Sequence, residues 1–504
     1  MAEPPASRSP APAPRSPIWA QALALNALSD PRFVPLAIGG LLGAMVLRGA
    51  LEPFGDQDVG WLAAAGRALL ATGEVPRTNG WGVTDAALPW TMHEWALGPL
   101  YALALAHAGL AGAVSLGIAA AALTTALLAL GTIGRARSLG AGALACVLAM
   151  LAARECLVEP RPAYLLLGAP LAMALLTVRE RFSRAHAAAA IALELAWTQL
   201  HGSFPLGLAV LAAAALAHER DRPARIAALA LSALATLLNP YGLALFGLVG
   251  RYVVGGDDAA EAIHAHIAEF QPLWAAGPVF GHPVRVLGVV LVVTGASEGV
   301  LRGARAERFA AGLALALGLL AVLHARYVPQ AVTLGAVLLV PRLDAALANV
   351  ALARPAFEGV AVARRTAMAS AAVSLLALGL VLARGTHADD ALGGDALPSL
   401  ARDPRAAGRP AYVAFDAAGR YLWLAPAPAR VFFDPRNDCY AAETARTAFA
   451  IEEGECTGSC LETALAPVEV AIVPTTHAIH PSLAASAAWT EVRALDDWHL
   501  FVRR

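Results

Sequence analysis

Residues 95–133 read WALGPLYALALAHAGLAGAVSLGIAAAALTTALLALGTI, without a single Asp, Glu, Lys or Arg. About 20 apolar residues carry a helix across the hydrocarbon of a bilayer. The stretch therefore holds two spans, Trp95–Leu110 and Val114–Ile133. The same texture recurs on either side of it. Phe33–Leu51 precedes it. Leu139–Ala153, Ala163–Val178, Ala187–Leu200, Phe204–Ala217, Ile226–Leu238, Val284–Val300, Phe309–Leu323, Val328–Val340 and Ala367–Leu382 follow. Several are short and merge with neighbours, so the expected count is about 10–13. No soluble fold repeats apolar runs in this way.

Composition agrees. Apolar residues make up 58% of the chain and charged residues 15%, with a mean hydropathy of +0.59; soluble domains carry about 25% charge. The net charge is −1 and no basic patch stands out along the chain, which has no lysine, so no nucleic acid is expected as a partner. The lipid bilayer is the first partner implied. Residues 1–30 are expected to be a disordered cytoplasmic tail, rich in Pro, Ala, Ser and Arg at its start. Phe33–Leu51 then serves as a retained signal anchor, with no cleavable leader before it. Residues 31–384 form the membrane domain, with a first outer loop at 52–94.

Residues 385–504 change character. Short β-like runs (Ala411–Phe415, Tyr421–Leu424, Arg430–Asp434, Val468–Val473, Trp489–Val492, Trp498–Val502) alternate with a helical stretch near Ala441–Glu453. This reads as a small soluble α/β domain. Cys146 and Cys156 lie in apolar runs and read as packing residues. Cys439, Cys456 and Cys460 allow one disulfide, with a thiol left over, if the tail is extracytoplasmic. Their spacing argues against zinc.

The connections are of two kinds. Those at Arg135–Arg137, Arg179–Arg184, Glu219–Arg225, Arg302–Arg308 and Arg342–Arg365 are rich in arginine and face the cytoplasm by the positive-inside rule. The intervening ones, at Asp56–Trp95, Glu159–Pro162, His201–Ser203, Asn239–Gly242, Ala268–Pro272 and Arg326–Tyr327, collect the polar, aromatic and Pro/Gly motifs on the outer face. Two full crossings between Trp95 and Ile133 would place Arg135 and Arg137 outside. One of those helices is therefore expected to be interfacial or re-entrant, and Tyr241–Val254 is expected to lie in the interface. The tail then lies outside the cytoplasm, and the location expected is a bacterial inner membrane.

The outer motifs carry the candidate chemistry. Asp56 and Asp58, one residue apart, suit a general base and its partner, or a divalent cation. Capping of the amphipathic helix that follows is the structural alternative. His93 and Glu94, between Trp90 and Trp95, suit phosphate or metal contact, or simple interfacial anchoring. Arg161 and Arg326 can clamp a phosphate, or snorkel to headgroups. His201, Asn239 and Tyr241 offer hydrogen bonds beside residues that also end helices.

Together these motifs resemble the GT-C superfamily of membrane glycosyltransferases, which use polyprenyl-phosphate-linked sugars. Within it, the chain is similar to a large set of bacterial membrane proteins. The resemblance rests on Asp56, Asp58 and Trp61; Gly73 and Pro76; Pro89, Trp90, His93, Glu94 and Trp95; Arg161-Pro162; His201-Gly202; Asn239-Pro240-Tyr241-Gly242; Glu269 with Pro272; and Arg326. In the tail, Gly419–Trp423 and Asp434–Tyr440 match as well, so the resemblance covers almost everything after residue 30. Gly60-Trp61, Asn79, Phe270 and Arg420 depart from the pattern. The resemblance implies an all-α polytopic membrane bundle with a small C-terminal α/β domain. It also implies transfer of a hexosyl or pentosyl group from a polyprenyl-phosphate donor to an outer-face acceptor. Asp56 or Asp58 would be the catalytic base or metal ligand. His93, Glu94, Arg161, His201, Asn239, Tyr241, Glu269 and Arg326 would bind substrate.

Two other classes compete. A transporter or flippase of lipid-linked sugars needs polar groups at mid-membrane, and Glu194 is the main one within the spans. A non-catalytic envelope protein would use its tail to bind a protein partner, which the sequence leaves unnamed.

Overall fold

The computed structural model describes residues 29–51, 58–254, 258–277, 281–348, 358–384, 396–436 and 438–504. The N-terminal tail to residue 28, together with Asp56 and Asn437, lies outside the described residues.

The chain forms a helical bundle followed by a small sheet domain. Among the described residues, five helices are long and apolar enough to cross a membrane: Leu97–Thr132, Pro283–Arg302, Arg305–Leu323, Ala325–Leu347 and Gly359–Ala383. Phe33–Gly49, Leu139–Ala152, Pro162–Thr177 and Pro205–Ala217 are apolar but shorter. Gly359–Arg384 packs on Phe33–Leu51 and on Leu97–Thr132, so the last bundle helix closes on the first.

The uncharged stretch 95–133 contains one break, at Ala108–Gly109, where φ and ψ leave the helical region. Gly109 sits at φ 54°, ψ −146°, a conformation open to glycine because it has no Cβ. The arm before the break is about 11 residues, ~16 Å at 1.5 Å per residue, roughly half a bilayer core. The expected boundary between Leu110 and Val114 therefore moves a few residues earlier. Further along, Ala163–Val178 divides into Pro162–Leu165 and Gly168–Thr177. The helix from Val328 continues through Pro341 to Leu347.

The arginine-rich connections share one end of the bundle. Asp344 accepts from the Arg137 and Ser138 backbone N–H groups, at 2.6 and 3.0 Å. Arg342 pairs with Glu298 and Glu307, at 3.4 and 3.3 Å, and Arg305 with Glu219 at 3.0 Å. Arg225 donates to the carbonyls of Thr177 and Arg179. Helices Arg184–Leu200 and Arg305–Leu323 start at this end and deliver His201 and Arg326 to the other.

The tail sheet has the order β2-β1-β3-β5-β4, with β1 Pro410–Val413, β2 Arg430–Val431, β3 Val470–Pro474, β4 Trp489–Leu495 and β5 Trp498–Arg503. β1 is parallel to β2 and β3, while β5 is antiparallel to β3 and β4. The expected strand Tyr421–Leu424 is instead the end of helix Phe415–Leu424. Its buried positions, Ala417, Ala418, Tyr421 and Leu422, recur at helical spacing, and a window of four residues hid that period. Cys456 and Cys460 form the disulfide, and Cys439 remains a buried thiol.

The loop before residue 97 joins this sheet. Trp81 O accepts from Val431 N–H at 2.8 Å, and Val83 N–H donates back to Val431 O at 2.9 Å, which extends the β2 edge. Buried Asn79 donates to Cys439 O at 3.1 Å, and Asp85 caps helix Ala442–Glu452 through Ala441 N–H at 2.9 Å. Arg67 holds the last carbonyls of helix Phe415–Leu424, those of Leu422 and Trp423, and lies 4.6 Å from the Trp423 ring.

Candidate active site

A cavity of about 560 Å³ opens at the end of the bundle away from the arginine-rich connections. Three parts of the chain wall it. The first loop supplies Asp58, Trp61, His93 and Glu94; the bundle connections supply Arg161, His201, Glu269 and Arg326; the tail supplies Phe415, Pro435 and Arg436. Leu206, Leu248, Leu313, Leu317 and Leu320 line its apolar side.

Asp58 opens helix Asp58–Thr72, and its Oδ1 accepts from Trp61 Nε1 at 3.0 Å. The carboxylate therefore occupies the first turn, where the helix dipole favours negative charge, and faces the cavity as well. Trp61, Trp90 and Trp81 form a ladder of edge contacts, with centroids 5.8 and 5.9 Å apart. Arg436 lies 4.9 Å from both the Trp81 and Trp90 rings and forks onto Asp434. Both of these charged residues are almost fully buried. The tail motif Asp434–Tyr440 thus locks the first loop against the cavity.

His93, Glu94 and His201 form a second group. Glu94 Oε1 lies 3.4 Å from His93 Nε2 and 3.3 Å from His201 Nε2. Burial alone would raise the Glu94 carboxyl, but the His93, His201 and Arg326 charges outweigh it and hold it below its ordinary range. Burial pulls against charge on His93 too, and there Glu94 prevails and raises it. Burial dominates at His201, lowering it to about 4, so this imidazole is neutral at pH 7.

The ligating atoms of these three residues lie within 4.8 Å of one another, a spacing that suits a metal. The protonation of His201 does not suit it. Its Nδ1 accepts the Ser203 backbone N–H at 3.0 Å, so the proton of the neutral ring sits on Nε2 and points at Glu94. A metal-bound imidazole instead donates from its other nitrogen. Asp58, the described member of the expected metal pair, is engaged by Trp61.

Arg161 and Arg326 form the third group with Glu269. Arg161 Nη1 donates to Glu269 Oε2 at 2.7 Å, and Arg326 Nη1 lies 3.9 Å from Oε1. Burial would raise Glu269, and Arg326 and Arg161 together hold it below its ordinary range. Asn239 and Tyr241 lie outside this wall. The Asn239 side chain closes its own turn onto Thr236 O, Gly242 O and Tyr241 N–H. Tyr241 OH donates to Pro76 O at 2.7 Å, and Arg77 reaches Pro240 O at 3.1 Å. Tyr241 and Pro240 thereby tie the first loop to the turn that Asn239 closes. Ser203, Phe270 and Arg436 were missed as site residues, although each lies in an outer connection or tail motif that the sequence singles out.

The fold recurs among solved structures. AglB from Archaeoglobus fulgidus, an archaeal oligosaccharyltransferase in complex with an inhibitory peptide and a dolichol-phosphate, matches with a TM-score of 0.53 and 12% identity, over 88% of this chain and 70% of that one. The fold is GT-C-like. ArnT from Cupriavidus metallidurans matches in its apo state and bound to undecaprenyl phosphate, both with a TM-score of 0.50, at 13% and 15% identity. Those matches cover 96% and 97% of this chain and 98% of ArnT. No protein-family model matches the sequence, and no curated protein matches it. The bundle is that of a multi-pass membrane protein.

Proposed function

We propose that the protein transfers a sugar from a polyprenyl-phosphate donor to an acceptor on the outer face of a bacterial inner membrane. The observation that carries this reading is one cavity with a carboxylate, Asp58, two cavity-facing arginines, Arg161 and Arg326, and an apolar flank between helices. The flank suits a prenyl chain entering from the bilayer. AglB and ArnT, seen with dolichol-phosphate and with undecaprenyl phosphate, support the same donor class.

In the reaction, the acceptor hydroxyl oxygen bonds to the anomeric carbon while the bond from that carbon to the phosphate oxygen breaks. The hydroxyl proton passes to Asp58, and the electron pair leaves with the phosphate. Arg161 and Arg326 offset the charge that grows on the leaving group. Glu94, flanked by two imidazoles, fixes their orientation, and Tyr241 holds the first loop, which carries His93 and Glu94. Asp56 remains the alternative base. The tail, with its Cys456–Cys460 disulfide, belongs in an oxidising compartment on the same side as the cavity.

The test is reconstitution in nanodiscs with polyprenyl-phosphate sugars, scored as release of polyprenyl phosphate. Asp58→Asn should lower turnover by roughly 10²-fold or more, the scale of general-base catalysis. Undiminished release from both Asp58→Asn and Asp56→Asn would refute the assignment.

A further inference from the structure

Glu269 stands where an anionic ligand of the two arginines would stand. Its carboxylate bridges Arg161 at 2.7 Å and Arg326 at 3.9 Å. Each guanidinium also lies against an aromatic ring: Arg161 is 5.3 Å from the Tyr164 ring, off the Glu269 turn, and Arg326 is 4.3 Å from the Phe270 ring, next to Glu269 on the same turn. All three side chains face the cavity and are about a fifth to a quarter exposed, at 26%, 25% and 19%. The two arginines hold Glu269 below its ordinary range, so it is ionised at neutral pH. Its carrier is the short turn Ala268–Phe270, bounded by the helix ending at His266.

We propose that Glu269 is an internal competitor for the lipid phosphate, offsetting one of the two charges of the arginine pair between turnovers and returning to it to expel the spent polyprenyl phosphate. The inference rests on the arginines receiving the donor phosphate, as proposed above. The donor is a phosphodiester with one negative charge. The released monoester carries about 1.5–2 charges at pH 7 and would grip two arginines far more tightly. A resident carboxylate raises the concentration of lipid phosphate needed to hold the clamp, and so limits inhibition by product. It also screens the arginines from weaker anions such as the headgroups of bulk phospholipids.

The experiment measures binding of undecaprenyl phosphate to the full-length protein by native mass spectrometry, with undecaprenol as the uncharged control. Glu269→Gln keeps the shape and removes the charge. It should tighten undecaprenyl phosphate binding about tenfold or more and leave undecaprenol unchanged. Arg161→Gln should weaken the phosphate form by a similar factor. Binding by the Glu269→Gln variant alone, with none by the wild type, would also support the competitor. If Arg161→Gln weakens binding while Glu269→Gln leaves it equal or weaker, the competitor is refuted and the donor reading stands. If neither wild type nor either variant distinguishes undecaprenyl phosphate from undecaprenol, both are refuted.

Discussion

At the scale of single residues, buried charge decides most of what can be tested. Arg436 and Asp434 are both almost fully buried and joined by a forked pair. Removing one partner strands the other, at a cost of about 3–5 kcal/mol. Arg436→Met and Asp434→Leu should each lower the melting temperature sharply, and the double variant should recover most of the loss. Asp438 gives the pH dependence. Burial raises its carboxyl to about 7, against the counter-pull of His93, Arg436 and Arg251. The folded state then holds a proton that the unfolded state, with a carboxyl near ~3.9, has lost. This contribution to stability is full below pH ~4 and fades as pH rises through about 7. Asp438→Asn should flatten that slope in thermal melts across the interval. Asp58, His93 and Arg161 were legible in the sequence, because each stands beside turn-forming or aromatic residues in an otherwise apolar chain. The pairing of Arg161 with Glu269, 108 residues away, was not, since no local period links positions on separate connections.

Elements were legible where periodicity is long and hidden where it is short. The bundle helices declared themselves because a span must be apolar throughout. Helix Phe415–Leu424 did not, since its strand-like end, Tyr421–Leu424, outweighed a short buried face that begins only at Ala417. Glycine contacts were equally silent, although they set how helices dock. A Cβ on Gly60 would fall 2.5 Å from Gly419 O, and one on Gly66 would fall 2.0 Å from the Gly98 backbone. Helix Asp58–Thr72 is thereby pressed against the tail on one side and the bundle on the other. Gly60→Leu should force the tail helix away, at about 1–3 kcal/mol for overpacking. Faster cleavage of the tail by limited proteolysis, with the bundle intact, is the expected readout.

The whole molecule closes its site with pieces from opposite ends of the chain. A helical bundle followed by a small α/β domain was expected from the apolar runs and from the short β-like runs of the tail. The sharing of a sheet edge between the first loop and the tail was not, because Trp81–Val83 looks like loop until Val431 is beside it. Asn79 and Cys439, which meet in that seam, are 360 residues apart. At synthesis rates of ~5–20 residues per second, the loop waits roughly 20–70 s for the segment that completes it. During that time Trp81 and Trp90 have no Arg436 to cover them. A newborn chain thus exposes an aromatic face at the membrane surface, and shielding that face is a task for whatever escorts the chain until its last residues emerge.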